Sequence, residues 1–289
     1  MSLKKGLIVK SISGEYTVDI GEEYIICKPR GVFRYDGKTP KVGDKVEIDV
    51  QTRTITNIFD RHNDLIRPFM SNIDKVFLVF SVVEPDLNLN LLDKMISIIE
   101  YQDIEINLVF SKLDLLKNKT EYDTIKKYYQ KIGYKVFESD NENFLNDILQ
   151  VIDNSVCAVT GQSGVGKSTI INNIEPSLNI KTAEISYALN RGKHTTRHIE
   201  LIKVGNGYVA DTPGFGIADF EDIDLLTLSH SFKEFYENSS FCKYPQCTHI
   251  NEPRCKIKEL VEKKEILKSR YDNYLLFANE VKEKQRNKY

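Results

Sequence analysis

The sequence has 289 residues, 41% of them hydrophobic and 28% charged, with a formal net charge of −2, which suits two or three globular domains. No run of about 18 apolar residues occurs, which excludes a membrane-spanning helix. The opening Met1-Ser-Leu-Lys-Lys-Gly6 lacks the apolar stretch of a secretion signal, so a cytoplasmic location without a membrane partner is expected.

Charge is unevenly spread. Basic and acidic residues number 12 and 10 in residues 1–68, 15 and 23 in 69–228, and 13 and 9 in 229–289. An anionic macromolecule is expected to meet the two ends rather than the middle, the alternative being that net charges this small are those of ordinary solvated surfaces. Five cysteines in a chain of this length do not suggest a disulfide framework. Cys27 and Cys157 stand singly in apolar stretches and read as buried, inert thiols.

In chain order, residues 6–10, 16–20, 24–28, 46–50 and 54–59 read as short strands, broken by turns at Ser13-Gly14, Gly21 and Gly43-Asp44. Five short strands within residues 1–68 suit a small barrel, an OB-fold or an SH3-like one. From residue 74 the pattern changes. Residues 75–83 form the continuous apolar run of a strand buried on both faces. Strands at 104–110, 134–137 and 155–160 alternate with helices at 91–101, 121–132, 143–152 and 169–174, which predicts a mostly parallel sheet covered on both sides. Residues 198–204 and 207–210, joined by Gly205-Asn206, read as a hairpin. After residue 220 the strands stop and helices flank a cysteine cluster. The division expected is a β-barrel over 1–68, an α/β P-loop domain over 69–220 and a helical metal-binding domain over 221–289.

Gly161-Gln162-Ser163-Gly164-Val165-Gly166-Lys167-Ser168 fits G-x-x-x-x-G-K-[ST] at every fixed position, and it lies between an apolar strand and a helix that begins at Thr169. The glycines let backbone N–H groups converge on phosphate oxygens, and the helix N-terminus adds favourable partial charge. Lys167 is expected to reach the β- and γ-phosphates and Ser168 to ligate Mg²⁺. Asp211-Thr-Pro-Gly214 ends the next strand. Asp211 is placed to hold Mg²⁺ through water and the Gly214 N–H to contact the γ-phosphate. Between the two, Gly192-Lys-His-Thr-Thr-Arg197 offers Thr196, with Thr195 the alternative, for a segment that closes over Mg²⁺ and the γ-phosphate.

Ser111-Lys112-Leu113-Asp114 follows the strand at 104–110 and resembles the [NT]-K-x-D guanine-recognition motif of GTPases. A carboxylate at Asp114 accepts from guanine N1–H and N2–H₂, where adenine offers no matching donors; Lys112 is expected to lie over the base. Ser111 lacks the amide or methyl of the usual Asn or Thr. Ser139 is a weaker base-site candidate, because Asp140 follows it where Ala is usual. The base motif here precedes the P-loop, the reverse of the common order.

With these motifs in place, the chain resembles the ribosome small-subunit-dependent GTPase A family of circularly permuted bacterial proteins over essentially its whole length. Lys28-Pro-Arg-Gly31, Val42-Gly-Asp44, Leu65-Ile-Arg-Pro68, Asn72-Ile-Asp74 and residues 161–168 and 192–196 carry the resemblance. It implies an OB-fold in front, a zinc-binding domain behind, and GTP hydrolysis to GDP and phosphate in late maturation of the small ribosomal subunit, stimulated by that subunit and its rRNA. The cofactors implied are GTP or GDP, Mg²⁺ and Zn²⁺, and a monomer is expected. The alternative is an RNA-binding scaffold with a slowly turning over nucleotide switch; an ATPase is a third reading.

Cys242, Cys247, His249 and Cys255 place four ligands within 14 residues, and three thiolates with one imidazole suit a structural tetrahedral Zn²⁺ with no open position. Phe215 stands where many GTPases carry a water-orienting Gln. His194 is the candidate to orient or accept from the attacking water, or else to contact the partner. Lys28, Arg30, Arg34, Lys38 and Lys41, interleaved with Phe33 and Tyr35, are candidate RNA contacts of the barrel, with a place in the barrel core as the alternative for the aromatics; Arg254, Lys256 and Lys258 beside the metal join them.

Overall fold

The structure, a computed structural model, describes residues 2–31, 33, 38–176, 199–211, 220 and 223–287. Five strands close the N-terminal barrel: β1 (Leu3–Ile12), β2 (Glu15–Asp19), β3 (Tyr24–Pro29), β4 (Lys45–Asp49) and β5 (Thr54–Ile58), in the order β1-β2-β3-β5-β4. This is the OB-type closure. One long strand pairs with both neighbours because β1 shifts register between Ile8 and Lys10, its first half facing β4 and its second half β2. Alternate residues Ile8, Val18, Ile25, Cys27, Val46, Ile48 and Ile55 fill the interior. Burial pushes the Cys27 thiol up to about 11, so it stays protonated and inert.

The segment after the barrel is held by side chains of the motifs quoted above. Asp44, fully buried, accepts from the Lys41 N–H at 2.7 Å, Arg61 Nε at 2.7 Å and Ser71 Oγ at 2.6 Å. Gly43 has φ +93°, and a Cβ there would lie 1.9 Å from the Ser71 carbonyl, so no other residue fits. Asn72 accepts from the His62 N–H and donates to the Gly43 carbonyl. Asp74 accepts from the Val156 N–H at 2.7 Å. These residues are scaffold rather than chemistry.

Six further strands follow the barrel: β6 (Lys75–Ser81), β7 (Glu105–Ser111), β8 (Lys135–Glu138), β9 (Val156–Gly161), β10 (Leu201–Val204) and β11 (Gly207–Asp211). The chain forms two compact units, Met1–Phe77 with Glu142–Gly214, and Leu78–Asn141 with Phe215–Tyr289. Neither is consecutive in sequence.

In the first unit β9 and β11 are parallel and β10-β11 is the expected hairpin, with α3 (Phe144–Ile152) and α4 (Lys167–Ile174) beside them. The barrel is joined to this hairpin. Lys10 pairs with Glu200 at 2.7 Å, and Asp19 accepts from Tyr208 Oη at 2.7 Å and Lys203 Nζ at 3.1 Å.

In the second unit β7 and β8 are parallel, with α1 (Leu89–Tyr101) and α2 (Thr120–Lys131) among its helices. Asn88 caps α1, its side chain accepting from the Leu91 N–H at 2.9 Å. The C-terminal helices are α5 (Leu225–His230), α6 (Lys233–Ser239), α7 (Lys256–Glu262) and α8 (Lys268–Asn287). They share a hydrophobic core with Ile98 of α1, built on Phe220, Phe232, Phe235, Tyr274 and Phe277. No helix among the described residues is long and apolar enough to cross a membrane.

Candidate functional site

The phosphate loop begins where β9 ends. Val156 to Thr160 are all buried, as a strand covered on both faces requires. The chain then turns through Gly161, Gly164 and Gly166 at φ +142°, +79° and +95°. A Cβ at Gly164 or Gly166 would meet nothing within 4 Å, so it is the backbone conformation, not crowding, that calls for glycine there. Val165 is fully buried and pins the loop. Gly166 caps α4, whose first residue is Lys167, and Ile170, Ile171 and Ile174 anchor the helix.

The Lys167 ammonium lies inside the loop, donating to the Gly161 carbonyl at 3.1 Å and the Gln162 carbonyl at 2.6 Å. Ser168 is half-buried in the first turn, while Ser163 and Thr169 are exposed. The opening N–H groups of a helix lack intrahelical partners, so loop, helix end and ammonium together make a site for an anion of several negative charges. Asp211 closes β11 in register with Val159 of β9. The side chain of Asp211, together with His194, Thr195, Thr196, Gly214 and Phe215, lies outside the described residues.

The base motif occupies the loop after β7. Ser111, buried, turns its hydroxyl toward the Phe80 carbonyl at 3.5 Å. Lys112 takes the left-handed conformation at φ +61° and donates from Nζ to the Glu84 carbonyl. Leu113 is buried and anchors a 3-10 turn, Leu113–Leu115, that presents Asp114 to solvent. Ser139 continues the β7–β8 ladder, its N–H donating to the Phe110 carbonyl at 2.9 Å. Asp140 has a role that no local motif announces. Its carboxylate accepts from the Asp114 backbone N–H and from the Ser139 hydroxyl, each at 2.8 Å.

The cysteine cluster converges. The ligand atoms of Cys242, Cys247, His249 and Cys255 all lie within 4.8 Å of one another. His249 Nδ1 is 3.3 Å from Cys255 Sγ and 3.6 Å from Cys242 Sγ, and the two sulfurs are 4.0 Å apart. Tetrahedral zinc with bonds of about 2.0–2.3 Å sets its ligand atoms roughly 3.5–3.8 Å apart; the donor set fits that ion in chemistry, and the separations among His249, Cys255 and Cys242 straddle that spacing. Burial pushes the His249 imidazole down to about 4, leaving it neutral as a ligand must be. Burial, added to by the neighbouring thiols, pushes Cys247 up to about 12, so a cation has to displace its proton.

The surrounding loop is fixed independently. Glu252 accepts from the Thr248 N–H at 2.6 Å and the Ile250 N–H at 2.9 Å, and Tyr271 Oη donates to the His249 carbonyl at 2.7 Å.

The candidate RNA contacts divide. Lys28, Arg30 and Lys38 are exposed. Lys41 is buried, bonded to Asp64 at 2.5 Å and the Leu65 carbonyl at 2.8 Å, and is a structural residue rather than an RNA contact; Phe33 is buried, the core alternative for the aromatics. Arg34 and Tyr35 lie outside the described residues. Beside the cysteines Arg254 is exposed, whereas Lys256 pairs with Glu259 at 3.0 Å and Lys258 is half-buried. Three aromatic side chains of the same C-terminal region that the sequence did not single out, Tyr236, Phe241 and Tyr244, are exposed, Phe241 by 70%.

Comparison with known proteins places this geometry. Residues 58–221 match the RsgA GTPase family and residues 5–58 the RsgA N-terminal domain. The chain is 45% identical to the small ribosomal subunit biogenesis GTPase RsgA of Bacillus cereus, over 98% of this chain and 99% of that protein. It is 44% identical to small ribosomal subunit biogenesis GTPase RsgA 2 of Oceanobacillus iheyensis, over 96% and 98%. Among solved structures it is similar to YloQ, a circularly permuted GTPase, with a TM-score of 0.83, 36% identity and coverage of 98% and 96%. It is also similar to YjeQ from Thermotoga maritima, with a TM-score of 0.82, 31% identity and coverage of 97% and 99%.

Proposed function

Since the chain belongs to the RsgA GTPase family and is a GTP hydrolase, we propose that it hydrolyses GTP in the late maturation of the small ribosomal subunit, triggered by that subunit. One observation carries the reading: a complete P-loop that delivers Lys167 at a helix start, in a chain matched end to end by small-subunit biogenesis GTPases.

The residues divide the work. Gly161, Gln162, Ser163, Gly164, Val165, Gly166 and Thr169 wrap the phosphates with backbone N–H groups, and Lys167 meets the β- and γ-phosphates. Ser168 and Thr196 would hold Mg²⁺, Asp211 would support it through water, and the Gly214 N–H would meet the γ-phosphate. Mg²⁺, when bound, offsets the charge that builds on the phosphates. Asp114 reads guanine, Lys112 lies over it, and Ser111 and Ser139 flank it. Cys242, Cys247, His249 and Cys255 hold a structural zinc. The exposed cations Lys28, Arg30, Lys38 and Arg254, with Phe241 and Tyr244, meet rRNA by charge and stacking. The protein then works in the cytoplasm, where such subunits mature.

Hydrolysis needs a water-positioning group, and Phe215 offers none. His194 supplies it once the subunit is bound. His194→Ala is expected to keep GTP and subunit binding while losing most of the subunit-stimulated rate, on the order of a hundredfold. Stimulation equal to the parent's would move the catalytic group to the ribosome.

The metal is tested directly. Freshly purified protein is expected to carry about one zinc per chain. Cys247→Ser should lower that content and loosen the C-terminal helices while GTP binding persists. Elemental analysis finding no zinc in unchelated protein contradicts the site.

A further inference from the structure

The loops that follow β6, β7 and β8 are laced together by side chains. Lys112 reaches the Glu84 carbonyl in the first, and the Val82 N–H donates to the Ser111 carbonyl at 3.1 Å. On the other side, Asp140 spans from its own loop to the base motif. One carboxylate oxygen accepts from the Asp114 N–H at 2.8 Å and the other from Ser139 Oγ at 2.8 Å. The Ser139 N–H is itself fixed on the Phe110 carbonyl at 2.9 Å. The 3-10 turn carrying Asp114 is thus gripped at Asp114's own peptide, by a group rooted in the β7–β8 ladder.

We infer that Asp140 is a specificity-determining positioning residue, which sets the Asp114 carboxylate for the N1–H and N2–H₂ donors of guanine. The placement answers the departure at Ser111, where the usual amide or methyl is missing and the hydroxyl is turned to Phe80. Asp140 holds the Asp114 peptide with one carboxylate oxygen while the Ser139 hydroxyl fixes the other, so the grip on Asp114 is itself held in place. Asp140 touches no part of the base in this account. It acts through the orientation of Asp114, and it rests on the reading of Asp114 as the guanine-binding residue.

That mode of action has a signature. A displaced Asp114 costs a guanine nucleotide two hydrogen bonds, a hypoxanthine nucleotide one and an adenine nucleotide none. Calorimetric titration of the full chain with guanosine, inosine and adenosine diphosphates reads it, using the parent, Asp140→Ala, Asp140→Asn and Asp114→Asn. In Asp140→Ala, GDP binding is expected to weaken about tenfold, IDP binding less, and ADP binding not at all. Asp140→Asn, which keeps an acceptor, should return GDP binding to within about twofold of the parent.

A parent-like ratio of GDP to ADP affinity in Asp140→Ala, with selectivity lost in Asp114→Asn, overturns the inference and leaves the base site standing. Equal weakening toward all three nucleotides also overturns it, since that marks a general structural role. If Asp114→Asn keeps the parent's selectivity, the base-site reading itself fails, and the inference with it.

Discussion

Replacing Lys167 with alanine should lower GTP turnover by on the order of a hundredfold or more, the scale of losing one charged contact to the group in transfer, with no loss of the fold. The ammonium donates to the Gly161 and Gln162 carbonyls of its own loop, so it is held close to where a triphosphate would lie against α4. No other residue of the loop carries a positive charge. Stability should hardly change. The loop is fixed by its glycine conformations, the buried Val165 and the isoleucines of α4, none of which the substitution touches. Turnover measured beside thermal melting checks both halves. A variant that melts with the parent within about 2 °C and hydrolyses GTP normally would remove Lys167 from the phosphate site.

Arg270→Met should be the most destabilising single change in the C-terminal region. Arg270 is 1% exposed. It bonds Asp93 of α1 at 2.5 Å and Glu234 of α6 at 2.5 and 3.2 Å, between the rings of Tyr129 and Phe232. The two carboxylates are further held by Tyr129 Oη at 2.6 Å, Tyr128 Oη at 3.1 Å and Asn273 Nδ2 at 2.7 Å. The cluster joins α1, α2, α6 and α8. Methionine leaves two buried carboxylates without their cation, a loss of about 3–5 kcal/mol, or roughly 10 °C in the melting temperature. Arg270→Lys keeps the charge but not the fork, and should fall between. Thermal unfolding followed by circular dichroism is the check. A Met variant melting with the parent would mean that the cluster contributes nothing.

How far the sequence went depended on the range of the interactions that fix each feature. The P-loop was legible residue by residue, because its glycine conformations and its lysine are set within eight consecutive positions. The barrel strands were legible too: period-two alternation at Val46 and Ile48, and turns at Gly14 and Gly21, are local properties. The cluster of Cys242 to Cys255 was readable for the same reason. Asp140 was not, since its partner Asp114 lies 26 positions away and meets it through the pairing of β7 with β8. Lys41 reads locally as an RNA contact because Asp64 and the Leu65 carbonyl, which accept from its ammonium, are more than 20 positions distant. The two compact units were hidden as well. Asp19 is joined to Tyr208 and Arg270 to Asp93, contacts that span more than half the chain and that no local pattern announces.

A GTPase that is slow alone and released by its partner is the central expectation. Phosphate release from GTP should be followed with the full, zinc-containing chain, with and without purified small ribosomal subunits, at low and moderate salt. Slow hydrolysis by the free protein is expected, and a rate higher by on the order of a hundredfold with subunits, the gain fading as salt weakens contacts to rRNA phosphates. A rate unchanged by saturating subunits, or a free protein already turning over at the stimulated rate, would contradict it.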